Sequence, residues 1–197
     1  MRGIVKNTKS DSILRRVLDR VQSGHHGKVY SKMWFKTMTK RKNALGFAAN
    51  QLNMNHYAFL AKTDDKWGFF ANLIIVRASD KTIKGGEGCL SIPNAQYEVF
   101  RHDWIEVDYE DGQGRSCSKK FEGLNAVIIQ HEIDHLNGMT IIDREHKREP
   151  IRVKKGFGRN EIVGITDGKD YKEIKYKKAK PLLDSGKWVI YVGGPIT

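Results

Sequence analysis

The sequence predicts an α+β fold in which antiparallel or mixed β-sheets pack around one central helix, and three observations carry that prediction. Residues 124–137 repeat Leu124, Val127, Ile128, His131 and His135 at intervals of three and four, the period of an amphipathic helix whose buried face the two imidazoles continue. The runs 56–62 and 67–76, rich in aromatic and β-branched residues, flank Asp64-Asp65 and read as two strands joined by a turn. Ile105, Val107 and Tyr109 alternate, Asp111-Gly112 turns the chain, and residues 116–121 return as a second hairpin.

The central helix carries His131-Glu132-Ile133-Asp134-His135, an HExxH arrangement. On an α-helix the two imidazoles lie about 40° apart around the axis and about 6 Å along it, so both can reach one metal ion; a satisfied pair of core histidines is the ordinary alternative. Glu132 is about 100° away in projection, clear of the ion yet close enough to handle a proton of water.

The remaining elements follow in order. Ile13, Leu14, Val17, Leu18 and Val21 predict a helix over 11–23, with Asp11 or Ser12 as N-cap and Gly24 beyond its end. His25-His26-Gly27 reads as a solvated turn, because adjacent histidines point apart on most backbones. Tyr30, Met33, Trp34 and Met38 predict a second amphipathic helix over 30–41, its apolar stripe belonging to the core. Residues 43–53 are small at Gly46, Ala48 and Ala49, which lets backbone or substrate come close, and Gln51 offers an amide. Residues 84–93 read as a loop whose glycines, Gly85, Gly86 and Gly88, present the Cys89 thiol and neighbouring amides to a site; a buried inert cysteine is the ordinary alternative. Asn137-Gly138 ends the central helix as a C-cap, and residues 139–142 read as a short strand.

With 197 residues and a hydrophobic fraction of 39%, the chain has room for one domain with a proper core plus an appendage, which excludes the disordered class. Its apolar runs are too short to span a bilayer, and the first residues lack a signal peptide's apolar core. The two cysteines, Cys89 and Cys117, make no disulfide framework and suit a reducing compartment, so the expected location is cytoplasmic, away from membranes. A net charge of +12 suggests an acidic partner such as nucleic acid. Residues 144–180 alone hold 13 Lys/Arg against 6 Asp/Glu, a surplus of +7. The chain therefore divides into a catalytic domain over 1–147 and a basic, β-rich extension over 148–197, with short strand-like pieces at 162–165 and 188–192.

Catalytic zinc-like sites use three protein ligands and keep a position for water, and Cys89 is the candidate for the third beside His131 and His135. Such a set suits Zn²⁺ or Fe²⁺. The chemistry is metal-assisted hydrolysis of an amide: the ion acidifies water, Glu132 carries the proton to the leaving amine, and the Gln51 amide with the Leu90 backbone N–H stabilises the oxyanion. A zincin-type metalloprotease would share HExxH but needs a ligand downstream and leaves Cys89 and Gln51 unexplained. A basic nucleic-acid-binding protein with a structural metal site accounts for the charge but not for a glutamate between the ligands. Phe157, Tyr171 and Tyr176 interleave the basic extension only sparsely, which reads as a solvated basic surface.

The three pieces together resemble the peptide deformylases. Gly46-Phe47-Ala48-Ala49-Asn50-Gln51 is similar to that family's first motif, Glu87-Gly88-Cys89-Leu90-Ser91 matches the second in full, and residues 130–138 match the third, in the same order and spacing. The resemblance covers roughly residues 10–144. It implies removal of the N-formyl group from the initiator methionine of nascent chains with release of formate. The implied metal is Fe²⁺, with Zn²⁺, Ni²⁺ or Co²⁺ as substitutes. Cys89, His131 and His135 carry over as ligands, Glu132 as general base and acid, and Gln51 and Leu90 as oxyanion donors. Gly46 and Gly88 match positions that hold the substrate backbone extended. Leu45, Glu87, Leu124, Val127 and Ile128 match the pocket for the methionine side chain, and Glu87 with Arg101 matches an ion pair behind the thiol. Ala44 stands where the first motif begins with glycine, which predicts a shifted loop or a narrower entry. The tail after Arg144 does not resemble the long C-terminal helix of many bacterial members, although its charge could reach ribosome or RNA electrostatically.

Overall fold

A computed structural model describes residues 4–6, 9, 12–40, 42, 44–147, 160, 162–166, 171–184 and 189–190. Asp11, Asn43 and Phe157, and residues 41, 148–159, 188, 191 and 192, lie outside the described residues. The chain separates into two compact units, residues 1–153 and 154–197.

In chain order the first unit contains α1 (His26–Thr37), β1 (Gly46–Ala48), β2 (Ala58–Thr63), β3 (Lys66–Ala78), β4 (Thr82–Cys89), β5 (Ile92–His102), β6 (Trp104–Glu110), β7 (Ser116–Glu122), α2 (Gly123–Leu136) and α3 (Ile141–Lys147). A five-stranded sheet runs β1-β2-β3-β6-β7, β4 and β5 form a separate two-stranded sheet, and every described pairing is antiparallel. The β2–β3 turn uses Asp64 and Asp65 at φ 50° and 61°, the left-handed pair that matches strand twist in a two-residue hairpin. α2 packs on β1, β2, β5 and β7, so the HExxH helix lies between the two sheets. Its core face is Ala126, Ile129, Ile133 and Leu136, all buried with Phe47, Leu60 and Phe121.

Four expectations are corrected. The helix expected over 11–23 is a short 3₁₀ turn, Ile13–Arg15, in which Ser12 accepts from the Leu14 N–H, followed by extended chain. Leu14, Leu18 and Val21 are still buried, but the backbone finds tertiary partners: Leu18 N–H donates to Leu136 O, and the Asn72 side chain pairs with both N–H and C=O of Val21. Those bonds satisfy a strand-like segment where helical periodicity alone pointed elsewhere. His26 is buried at the start of α1, its Nε2 2.7 Å from Glu110 Oε2, because Asn72 also donates to that carboxylate and ties α1, β3 and β6 together. Residues 84–93 are not a loop. Gly85, Gly86 and Gly88 lie in β4 paired with β5, and none has positive φ. Residues 139–142 are not a strand, for α3 begins at Ile141 with Asp143 Oδ2 accepting from the Thr140 N–H at 2.7 Å, the reciprocal bond of a T-x-x-D capping box.

The second unit, taken by itself, has β8 (Ile162–Thr166), β9 (Tyr171–Lys175), α4 (Tyr176–Asp184) and β10 (Val189–Ile190), with sheet order β10-β8-β9. Val163, Ile165 and Ala179 are buried, with Ile174, Tyr176 and Leu182 packed against them. Among the described residues no helix is long and apolar enough to cross a membrane.

Candidate active site

Three connections aim α2. Gln130 donates to His102 O and Ala126 O and accepts from the His102 N–H, each at 3.0 Å, which clamps the helix to β5. At the far end Gly138 takes φ 69° to end the helix, and a Cβ there would stand 2.6 Å from Arg15 O, so both the turn and the close approach require glycine. Asn50 donates to His135 O at 2.5 Å, joining the first motif to the third.

β4 delivers Cys89 as its last residue. The ladder shifts register between Gly88, opposite Gln96, and Cys89, opposite Ile92, so the strand end is bent toward α2. One ligand atom each from Cys89, His131 and His135 lies within 4.8 Å of the others, and Cys89 Sγ is 3.2 Å from His135 Nε2. Burial pushes the Cys89 thiol up, but His135 and His131 outweigh it and hold the thiol well below its ordinary value, as the thiolate a metal needs. His131 Nδ1 is 2.8 Å from Glu87 Oε2, which leaves Nε2 for coordination. This donor set, two imidazoles and a soft thiolate with an oriented outer partner, fits a catalytic zinc or iron centre.

Behind the ligands lies a buried charge network. Arg101, 1% exposed, donates from Nε and a terminal nitrogen to the two oxygens of Glu87 at 2.7 and 2.8 Å, and from its other terminal nitrogen to Asp134 at 2.6 Å. Arg144 donates to Asp134 at 2.5–3.0 Å. Burial raises the Glu87 carboxyl, yet its bonds to Arg101 and His131 bring it down to about 2. Asp134 is lowered against its own burial by Arg101 and Arg144.

Glu132 is different. Its Oε2 is buried without a hydrogen-bond partner, and burial drives its carboxyl up to about 7 against the lowering pull of His131 and His135. A cation beside it would pull that value back down. Its Oε1 lies against Gly46, where a Cβ would come within 2.1 Å. Gln51 Oε1 accepts from the Ala48 N–H at 2.9 Å, and this turns Nε2 toward Cys89 Sγ at 3.7 Å and Ser91 Oγ at 3.2 Å.

A cleft of about 740 Å³ opens over these groups. It is lined by Leu45, Gly46, Gln51, Glu87, Gly88, Cys89, Leu90, Leu124, Val127, Ile128, His131 and Glu132, with Ala44 and Lys6 also contributing. Every residue expected at the site therefore reaches one place, His135 from beneath. Leu124 is 64% exposed and Val127 half-buried, so this side of α2 faces the cleft and not the core, a correction to the single buried face. α2 is apolar on most sides, and periodicity alone does not separate a core face from a pocket face. Three functional neighbours escaped the sequence reading. Ser91 and Asp134 sit inside the quoted motifs without a role suggested by spacing, and Arg144 carried no signal at all. Cys117 is half-buried on β7 and takes no part.

Residues 1–150 match the family described as polypeptide deformylase. A curated peptide deformylase from Synechocystis sp. is 35% identical over 140 residues, spanning 68% of this chain and 74% of its own length. One from Brucella suis is 46% identical over 88 residues, 45% of this chain and 50% of its own. Among solved structures, the Met-ala-ser bound class I type b peptide deformylase from Acinetobacter baumannii aligns with a TM-score of 0.64 at 25% identity, over 72% of this chain and 96% of that one. The Thermotoga maritima peptide deformylase aligns with a TM-score of 0.64 at 28% identity, over 73% of this chain and 98% of that one.

Proposed function

Because the chain belongs to the polypeptide deformylase family and so removes the N-formyl group from nascent peptides, we propose that Cys89, His131 and His135 hold one divalent cation, Fe²⁺ in its native state, with Zn²⁺, Ni²⁺ or Co²⁺ as substitutes. The observation that carries this is the gathering of a thiolate and two imidazoles within 4.8 Å beside an unpartnered buried carboxylate oxygen. When bound, such a cation polarises the formyl carbonyl and acidifies water. The chain's own residues do the rest. Glu132 Oε2 takes the proton from the attacking water and returns it to the leaving amine. Gln51 Nε2 and the Leu90 backbone N–H donate to the developing oxyanion. Leu45, Leu124, Val127 and Ile128 give the methionine side chain an apolar wall, to which Glu87 adds only its stem because its carboxylate is bound to Arg101 and His131. The substrate backbone runs extended past Gly46 and Gly88. Met-ala-ser, bound by the Acinetobacter relative, has the form of a deformylated product, which favours this reading over a metalloprotease.

Formate release from formyl-Met-Ala-Ser, with protein prepared anaerobically and its metal measured, tests the assignment. The expected result is turnover with about one divalent ion per chain, mostly iron, and loss of both metal and turnover in Cys89→Ala. Unchanged stoichiometric metal in that variant removes Cys89 from the ligand set, and a fully active protein carrying only zinc as isolated removes iron as the native metal.

The domain limits of 1–147 and 148–197 belong to the same proposal, with the basic extension contacting ribosome or RNA in the cytoplasm. Its support is the surplus of +7 over residues 144–180. Co-sedimentation with ribosomes should weaken when the chain ends after residue 147 and fall further with salt; equal co-sedimentation of the two chains would count against it.

A further inference from the structure

A second cavity, of about 440 Å³, shares no residue with the active cleft and lies at the N-terminal end of α1. Arg20, His25, Lys28, Lys32 and His56 line it, over a floor that includes Val21, Val29 and Met54. The acid on its rim, Asp19, already accepts from Asn55 Nδ2 at 2.8 Å. His25 is the residue preceding the helix and makes no side-chain cap, which leaves first-turn N–H groups of α1 facing the same end.

The helix itself is unusual. α1 contains Lys28, Lys32 and Lys36 at successive four-residue steps and no acidic residue, and like charges at that spacing repel one another. Lys36 Nζ donates to Leu52 O, whereas Lys28 and Lys32 are exposed and have no carboxylate partner among the described residues. Phe35 is 77% exposed and falls on the sector of the helix shared by Lys28 and Lys32. The opposite face of α1, with Val29, Met33 and Thr37, is already in the core.

We propose that this face of α1 binds single-stranded RNA, with one phosphate seated in the cavity between His25, Lys28, Lys32 and His56 and a base stacked on Phe35. Cations spaced along a groove with an exposed aromatic beside them are what a sequence-tolerant single-strand site requires. A membrane surface would need a continuous apolar face, and that of α1 is used internally. An acidic protein segment would satisfy the lysines but does not bring a π-face with each charge, as every nucleotide does. None of these residues belongs to the basic extension, so the two can be told apart by substitution.

The test is fluorescence anisotropy of a labelled oligouridylate with the full chain at a series of salt concentrations. K28E/K32E, and the neutral K28Q/K32Q as a milder pair, should weaken binding about tenfold or more and reduce the salt slope by about 0.7, for the one lost phosphate contact. F35A should weaken binding about fivefold or more without changing the slope. All three should retain formyl-peptide hydrolysis, which shows that they fold. Wild-type affinity in both lysine pairs overturns the proposal. So does an equal loss in K119E/K120E on β7, exposed lysines that belong neither to this face nor to the basic extension, which would mark generic charge attraction. Competition by polyglutamate as effective as that by RNA overturns the choice of RNA in favour of an acidic protein.

Discussion

Glu132→Gln is expected to retain the metal and to lose turnover of formyl peptides by a factor of about 10²–10⁴, the usual worth of a positioned acid–base group. The substitution keeps the size of the side chain and its place beside Gly46 but removes the capacity to accept a proton. The three ligand residues are untouched, so metal content separates loss of the proton carrier from loss of the site. Near-normal kcat in a metal-replete Glu132→Gln protein would sink the role. A companion variant probes position and not chemistry. In Gly46→Ala the new methyl would stand 2.1 Å from Glu132 Oε1 and 2.6 Å from its Cδ. The clash is with the end of a flexible side chain, so the fold yields by swinging the carboxylate away. Activity should fall with Tm nearly unchanged, whereas a large drop in Tm would mean that the carboxylate has nowhere to go.

That glutamate and its neighbours were legible in the sequence because their chemistry depends on short spacing. His131, Glu132 and His135 need only one helix to meet, and Cys89 and Gln51 come with motifs whose order carried them to the same cleft. The hairpins were equally legible, since alternation and Asp-Asp or Asp-Gly turns are local signals. What escaped was decided by partners far along the chain. Residues 11–23 have helical periodicity, but Asn72 and the end of α2 take the backbone groups of Val21 and Leu18. His26 looked solvated until Glu110 was brought to it, 84 residues away in sequence. The glycines before Cys89 suggested an irregular loop, yet β5 pairs with them as an ordinary strand. The Thr140-x-x-Asp143 cap, by contrast, is a purely local signal, for both partners lie at the first turn of α3.

The second large effect belongs to a residue that never touches substrate. Arg101→Leu should lower stability by roughly 3–5 kcal/mol, the range for stripping one partner from a buried ion pair. For a chain of this size that corresponds to a fall in Tm of about 6–20 °C. Its guanidinium satisfies two carboxylates at once, Glu87 by a two-bond fork and Asp134 by the remaining nitrogen. Asp134 would keep Arg144, but Glu87, 8% exposed, would be left with only His131. Burial would then favour a protonated Glu87, and the bond that orients the His131 ring would weaken, so metal affinity should fall as well, by about 10–100-fold. Arg101→Lys restores the charge but not the planar fork, and should recover stability only in part. Arg144→Leu takes a partner from Asp134 and from the Met139 sulfur but leaves the Arg101–Glu87 fork and the Glu87–His131 bond in place, so it should cost stability without loosening the metal. Equal metal affinity in Arg101→Leu and wild type would reduce the network to a purely structural support, whereas loss of metal in Arg101→Leu but not in Arg144→Leu traces the coupling through Glu87 to His131.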